Sequence, residues 1–303
     1  MDVYKLWPDE VGGKLIEREG FEADTQRQQP WYQEGGGERA SQFAVCPACD
    51  NPIQLIGLYV LPANVKRPFG RHTVNGVHGL AASDAEAREH CPYFKPRAPD
   101  KAARKKCFDG VPRKILRLLI DQFDRVVYVF ERQVGISFSR NALKGMLERY
   151  RGEQGYLYTG ATLRNVPWIF AYMSDATDLF MQRIAGNEDL RQAVSSHVSG
   201  AEIESDGRIR KATVKAGATP PYFDVKVSFI HHRVRKEGED GRLVETMTMV
   251  VGNRRGRSID EIYSQLISFD YDEFERLIRI PEGKGRRRLE LVELAETVLG
   301  DLL

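Results

Sequence analysis

The sequence predicts an α+β chain in three main stretches: a loop-rich N-terminal module, a helical middle, and a C-terminal antiparallel sheet with terminal helices. Three observations carry that reading. Residues 41–110 combine a close pair of cysteines with a high density of proline, which prevents long helices. From Val111 onward apolar residues recur at three- and four-residue steps, the pattern of a helix with one buried face. After Gly200 the period drops to two, as in strands with one buried face.

Ahead of these stretches, residues 1–40 are rich in Gln, Glu and Gly and end in the triglycine Gly35-Gly36-Gly37. Their apolar residues are scattered without sustained periodicity, which predicts a loosely structured arm with a few aromatic anchors. In the module, residues 41–110, short extended pieces are expected around the cysteine pair. A short helix over Ser83 to Glu89 follows from the capping-box spacing of Ser83 and Glu86, and it delivers His90 and Cys91.

In the helical region, residues 111–199, Pro112 suits a first turn. Ile115, Leu119, Phe123, Val126, Val127, Phe130 and Val134 follow on one face. Further helices are expected from Ser139, after Pro167 as far as Ile184, and from the Asn187 cap. The aromatic and Met stripes on these helices read as core.

In residues 200–303, Asp206-Gly207 marks a tight hairpin, because that pair tolerates the positive φ such a turn requires. Phe223, Val225, Val227 and Phe229 alternate with polar residues, Leu243 to Val251 gives another strand, and Ile262 to Phe269 adds a third. Two helices close the chain, one from the Asp270 cap to Ile280 and one from Arg286 to Leu302.

The chain has 303 residues and a net charge of only +2, so global electrostatics do not dictate a nucleic-acid partner. It lacks an apolar run of the roughly 20 residues needed to cross a bilayer, and its first residues lack the basic start and apolar block of a secretory signal. A cytoplasmic protein without a membrane association is expected. In that compartment four cysteines point to metal ligation before disulfides.

Cys46-Pro47-Ala48-Cys49 supplies the most specific signal. Two thiols three positions apart on a tight turn between extended segments direct both sulfurs at one ion, as in a Zn²⁺ knuckle. Cys91, followed by proline as Cys46 is, makes the third ligand. For the fourth, His72 and Cys107 compete, and His72 is preferred because it ties the long insertion between Cys49 and Cys91 to the metal. His90 adjoins Cys91, and neighbouring residues rarely face the same ion, while His78 reads as exposed. The segment Phe43 to Ile53 resembles a zinc-ribbon knuckle of the type found in many nucleic-acid-associated and scaffold proteins. That resemblance covers 11 of the 303 residues and implies a metal-bound scaffold.

Four protein donors leave no open position for water, so the zinc is expected to be structural and the protein non-enzymatic. The His-x-Glu of nucleoside deaminases, the His-Glu-x-x-His of zincins and the glycine-rich phosphate loops are all missing. Basic clusters are local: Lys101, Arg104, Lys105 and Lys106 beside the metal, and Arg254, Arg255 and Arg257 in a C-terminal turn. They make nucleic acid, or a complex bound to it, the expected partner. A protein-interaction or regulatory module with structural zinc is the alternative. A metal-dependent nuclease using Asp224 and Lys226 with an acid of the preceding hairpin is the second alternative. His231-His232 on the strand is expected to place one imidazole inside and one outside.

Overall fold

The structure, a computed structural model, describes residues 1–34, 40–174, 176–213, 223–238, 242–256, 258–281 and 283–303. The triglycine and Arg257 lie outside these residues, and of Arg255 only the backbone is described. The fold is α+β, with an antiparallel sheet and helices at its C-terminal end, as the sequence predicts.

The N-terminal segment holds more regular structure than its pattern announces. β1 (Val3–Tyr4) pairs antiparallel with β2 (Lys14–Leu15), and α1 (Arg18–Thr25) follows. Tyr4 and Phe21 are buried and meet edge to face, their centroids 5.2 Å apart. Two aromatic anchors thus fix a segment too short for periodicity to register. β3 (Tyr32–Gln33), β4 (Ser41–Val45), β5 (Pro52–Ile56) and β6 (Phe69–His72) then form an antiparallel sheet in chain order. α2 (Ala85–Glu89) begins at Asp84, whose carboxylate accepts the Ala87 N–H at 2.9 Å. The expected cap, Ser83, instead donates its hydroxyl to the Val74 carbonyl. A carboxylate also suits the positive end of a helix better than a hydroxyl does.

α3 (Val111–Asp121) and α4 (Phe123–Val134) share the long apolar stripe, broken at Gln122. β7 (Ile136–Ser137) is followed by α5 (Arg140–Gly152), capped by Ser139 as expected. The next helix, α6 (Val166–Tyr172), corrects the sequence reading: it stops at Tyr172 instead of running to Ile184. All its residues are buried, so it had no polar face by which its length could be judged. Beyond it the chain supplies sheet edges, β8 (Thr177–Asp178) and β9 (Arg183–Ile184), the latter paired with β7. α7 (Glu188–His197) starts from the Asn187 cap, and β10 (Ala201–Ile203) and β11 (Ile209–Lys211) form the hairpin around Gly207, which has φ +87°.

Three long strands follow: β12 (Val225–Glu237), β13 (Arg242–Arg255) and β14 (Ser258–Ser268). With β8 they make an antiparallel sheet in the order β14-β13-β12-β8. α8 (Tyr271–Ile278), capped by Asp270, and α9 (Leu289–Leu299) close the chain, α9 packing on α3, α4 and α5. A continuous apolar core runs from Cys46 and Ile53 of the module through Phe130 and Trp168 to Met249 and Leu299. Among the described residues no helix is long and apolar enough to cross a membrane.

Candidate metal centre

β4 and β5 lead into and out of the turn that carries Cys46 and Cys49. Its backbone closes tightly: the Cys46 N–H donates to the Asn51 carbonyl at 2.8 Å and the Asp50 N–H to the Cys46 carbonyl at 3.0 Å. β5 and β6 pair with Ile53 opposite His72, and this register sets the imidazole beside the turn. α2 delivers Cys91, whose N–H donates to the Arg88 carbonyl at 3.0 Å.

These elements bring the donor atoms of Cys46, Cys49, His72 and Cys91 within 4.8 Å of one another. Cys46 Sγ lies 3.7 Å from Cys91 Sγ, and Cys49 Sγ lies 3.4 Å from His72 Nε2. A tetrahedral ion with bonds of about 2.3 Å to sulfur and about 2.0 Å to nitrogen sets sulfurs about 3.8 Å apart and sulfur about 3.5 Å from nitrogen. The observed edges match, and they are far too long for a disulfide of about 2.05 Å. All three cysteines are buried, and the four residues can hold a metal ion.

Electrostatics support the same conclusion. Burial raises the Cys46 thiol, but hydrogen bonds from Cys49 and Cys91 outweigh it and bring Cys46 well below the ordinary thiol range. Burial, followed by the neighbouring Cys46 sulfur, holds Cys49 and Cys91 well above that range. Three sulfurs this close cannot all be thiolates unless a cation sits among them, and a bound divalent ion supplies that charge.

The remaining candidates separate cleanly. Cys107 is exposed and outside the cluster, so His72 prevails as the fourth donor. His90 turns away, its Nδ1 lying 3.2 Å from Arg97 Nη2, and His78 is exposed. In the basic segment, Lys101 Nζ lies 4.7 Å from the Tyr172 ring centroid, and Arg104 Nη2 pairs with Glu153 Oε2 at 3.1 Å. Lys106 is exposed. Lys105 departs from the expected surface position: it is buried, donates to the Ala161 carbonyl at 2.6 Å, and burial pushes its ammonium down to about 8. Arg254 is half exposed with Nε 3.7 Å from Asp224 Oδ2.

Asp224 also faces Lys226 at 3.6 Å, and the hairpin acids Glu204 and Asp206 pair with Arg210 and Arg208. Among the described residues these carboxylates form no further group of metal-ligand geometry. Asp224 lies between the Lys226 ammonium and the Arg254 guanidinium.

Several positioning residues carried no motif. Asn51, fully buried, donates from Nδ2 to the Cys49 carbonyl at 3.2 Å and accepts the Asp84 N–H at 2.8 Å. It bolts the turn to the cap of the helix that brings Cys91. Asp50, at φ +58°, receives Lys5 from the N-terminal segment and Lys114 of α3, the latter at 2.6 Å. A neighbouring buried pair, Arg164 and Glu275 at 2.5 Å, joins further pieces. Arg164 also donates to the Tyr93 hydroxyl, and Glu275 accepts the Gly13 N–H at 2.8 Å.

The His231-His232 pair divides as expected, with His231 exposed and His232 buried. The β12–β13 register shifts there, His231 takes φ +56°, and His232 Nε2 meets Glu245 Oε1 at 2.5 Å inside the core. Glu245 further accepts from Asn165 at 2.7 Å and from the Tyr271 hydroxyl. The legible signal was a carboxylate at an inward position, in alternation with Leu243, Met247 and Met249. Glu245, Arg164, Tyr93 and Tyr271 line a cavity of about 900 Å³ between the N-terminal segment and the sheet.

Comparison with family models, with curated proteins and with solved structures finds no match to this chain. The functional reading therefore rests on the site itself.

Proposed function

We propose that this chain is a zinc-stabilised binding protein, in which one structural Zn²⁺ on Cys46, Cys49, His72 and Cys91 clamps the N-terminal module and so fixes a surface that contacts nucleic acid. The observation that carries the zinc reading is the spacing of the donors: sulfur to sulfur 3.7 Å and sulfur to nitrogen 3.4 Å, both edges of a zinc-sized tetrahedron. Three thiolates and one imidazole select Zn²⁺ over hard cations, and four protein donors complete its coordination without a water. The ion's part is to tie the β4–β5 turn, β6 and the end of α2 at one point, in addition to the strand pairing and the Asn51 bridge that already join them.

Lys101, Arg104, Lys106 and Arg254 are the described cations assigned to phosphate contacts, with Lys105 serving the interior. Arg255 and Arg257 belong to the same C-terminal cluster as Arg254. Binding through such groups weakens steeply with salt. Metal analysis of the purified chain tests the clamp. One zinc per chain is expected, falling to a small fraction in Cys91→Ser, and a metal-free folded chain overturns the reading. A low-salt titration with DNA and RNA tests the partner. Absence of any affinity removes nucleic acid and leaves the protein-interaction module, for which capture of a partner after nuclease treatment is the expected sign.

A further inference from the structure

We propose that Phe94, with the cations around it, is a stacking platform for the bases of single-stranded nucleic acid. This rests on the nucleic-acid reading above and adds to it the strand form and a set of contact residues that no motif marked.

The turn after Cys91 creates the platform. Phe94 and Lys95 both direct their N–H groups to the Cys91 carbonyl at 3.0 Å, a tight reversal that buries Pro92 and Tyr93 and turns Phe94 outward. Phe94 is 41% exposed, although it adjoins the buried donor cluster. One side of the ring is fixed, because His72 meets it edge to face at 5.6 Å. A ring held by a metal ligand is rigid, so a base stacking on it loses little to ordering the protein.

The charge around the ring suits a polyanion. Lys95 Nζ lies 5.6 Å and Arg88 Cζ 5.7 Å from the ring centroid. Lys95 and Arg97 share one carboxylate, Glu89, at 2.8 and 3.7 Å, and both remain about half exposed. Arg88 is held by the Thr73 and Val74 carbonyls at 2.7 and 3.0 Å. Two cations thus share one carboxylate and Arg88 rests on neutral carbonyls, which leaves a surplus of positive charge around a half-exposed ring.

This combination favours a single strand. In a duplex the base faces are stacked on one another, and a lone protein ring can reach them only after unstacking. In a single strand every base offers a face, and cations beside the ring meet the adjacent phosphates. Stacking on a ring does not read base edges, so recognition by this platform is tolerant of sequence.

The test is fluorescence anisotropy at low salt with a labelled short oligo(dT) and a duplex of the same length, with zinc content measured for each variant. The wild-type chain is expected to bind the single strand more tightly than the duplex. Phe94→Ala with its zinc retained is expected to weaken oligo(dT) binding about five- to a hundredfold, and Phe94→Trp to bind at least as tightly as wild type. Lys95→Ala with Arg97→Ala is expected to reduce the slope of log affinity against log salt concentration by about 1.4. Should Phe94→Ala lose zinc, Phe94→Leu, which keeps the apolar cover on His72 and removes the π face, replaces it and is expected to show the same loss.

Unchanged oligo(dT) affinity in a zinc-loaded Phe94→Ala or Phe94→Leu chain overturns the platform and leaves the nucleic-acid reading standing. A wild-type chain that binds neither probe brings down that reading and the platform together. Poly-glutamate that displaces oligo(dT) at equal charge, with no dependence on Phe94, overturns the platform in favour of an acidic protein partner.

Discussion

β12 and β13 pair antiparallel from Val225 opposite Asn253 to Glu237 opposite Arg242, interrupted only by the bulge at His231-His232. Successive residues find partners on a neighbouring strand, and a hairpin brings the two together, so local backbone pairing specifies the structure. The metal module is built differently. Its strands are short, and Cys46, His72 and Cys91 come from three separate segments joined by loops. Order there rests on a small sheet and, across its loops, on side chains far apart in sequence meeting at one point. A region of the first kind fails gradually as pairs are lost, whereas one of the second kind fails at once when its common ligand is removed.

Metal removal is therefore expected to have the largest effect. Structural zinc sites supply on the order of 10 kcal/mol of folding free energy. Chelation, or Cys91→Ser, is expected to abolish hydrogen-exchange protection across β4, β5 and β6 while β12 and β13 keep theirs. Equal loss in both regions would show that they unfold as one unit and that the contrast is only geometric.

The joint between the regions comes next. Glu275→Ala leaves the buried Arg164 guanidinium without its carboxylate and should lower stability by about 3–5 kcal/mol in urea denaturation. Cooperative unfolding of wild type alongside a biphasic transition in the variant would locate the coupling at this pair.

A third effect is read through pH. Burial depresses Lys105 to about 8 from its ordinary 10.5, so between those values the unfolded chain holds more protons than the folded one. Stability from this group consequently rises as pH increases from about 8 to about 10.5, by up to about 3 kcal/mol, and the cost of burying the ammonium is fully present below that window. Lys105→Met should remove this rise, seen as the difference between the two proteins' urea midpoints across that pH range. Parallel profiles would place the Lys105 ammonium in water.

The smallest effect concerns α2, which carries Cys91 to the metal. Asp84→Ala should cost about 1 kcal/mol and Ser83→Ala distinctly less, because the carboxylate and not the hydroxyl caps the helix. Thermal denaturation of the two variants checks the order.

How much could be read in advance follows the same division. Ser139, Asn187 and Asp270 all cap the helices they announce, and Asp206-Gly207 turns its hairpin, because each signal acts within four residues of its effect. The Cys46 and Cys49 pair was legible for the same reason. His72 and Cys91 followed by argument about loop length and a shared proline, and the structure places both with the pair. The reach of α6 was misread because a helix buried on all sides shows no change of face at its end. Asn51, Asp50 and Arg164 were invisible, since nothing local distinguishes a polar residue that will bridge distant segments from one that faces water.

The sequence alone determined the α+β class, the Ser139, Asn187 and Asp270 caps, the Asp206-Gly207 turn and the chemistry of the cysteine pair, because those depend on propensities and spacings along a few residues. Tertiary structure alone decided that Lys105 faces inward, that Phe94 faces outward and that Glu245 meets His232. Each of these depends on which remote surface happens to cover a side chain, and that is fixed only when the whole core packs.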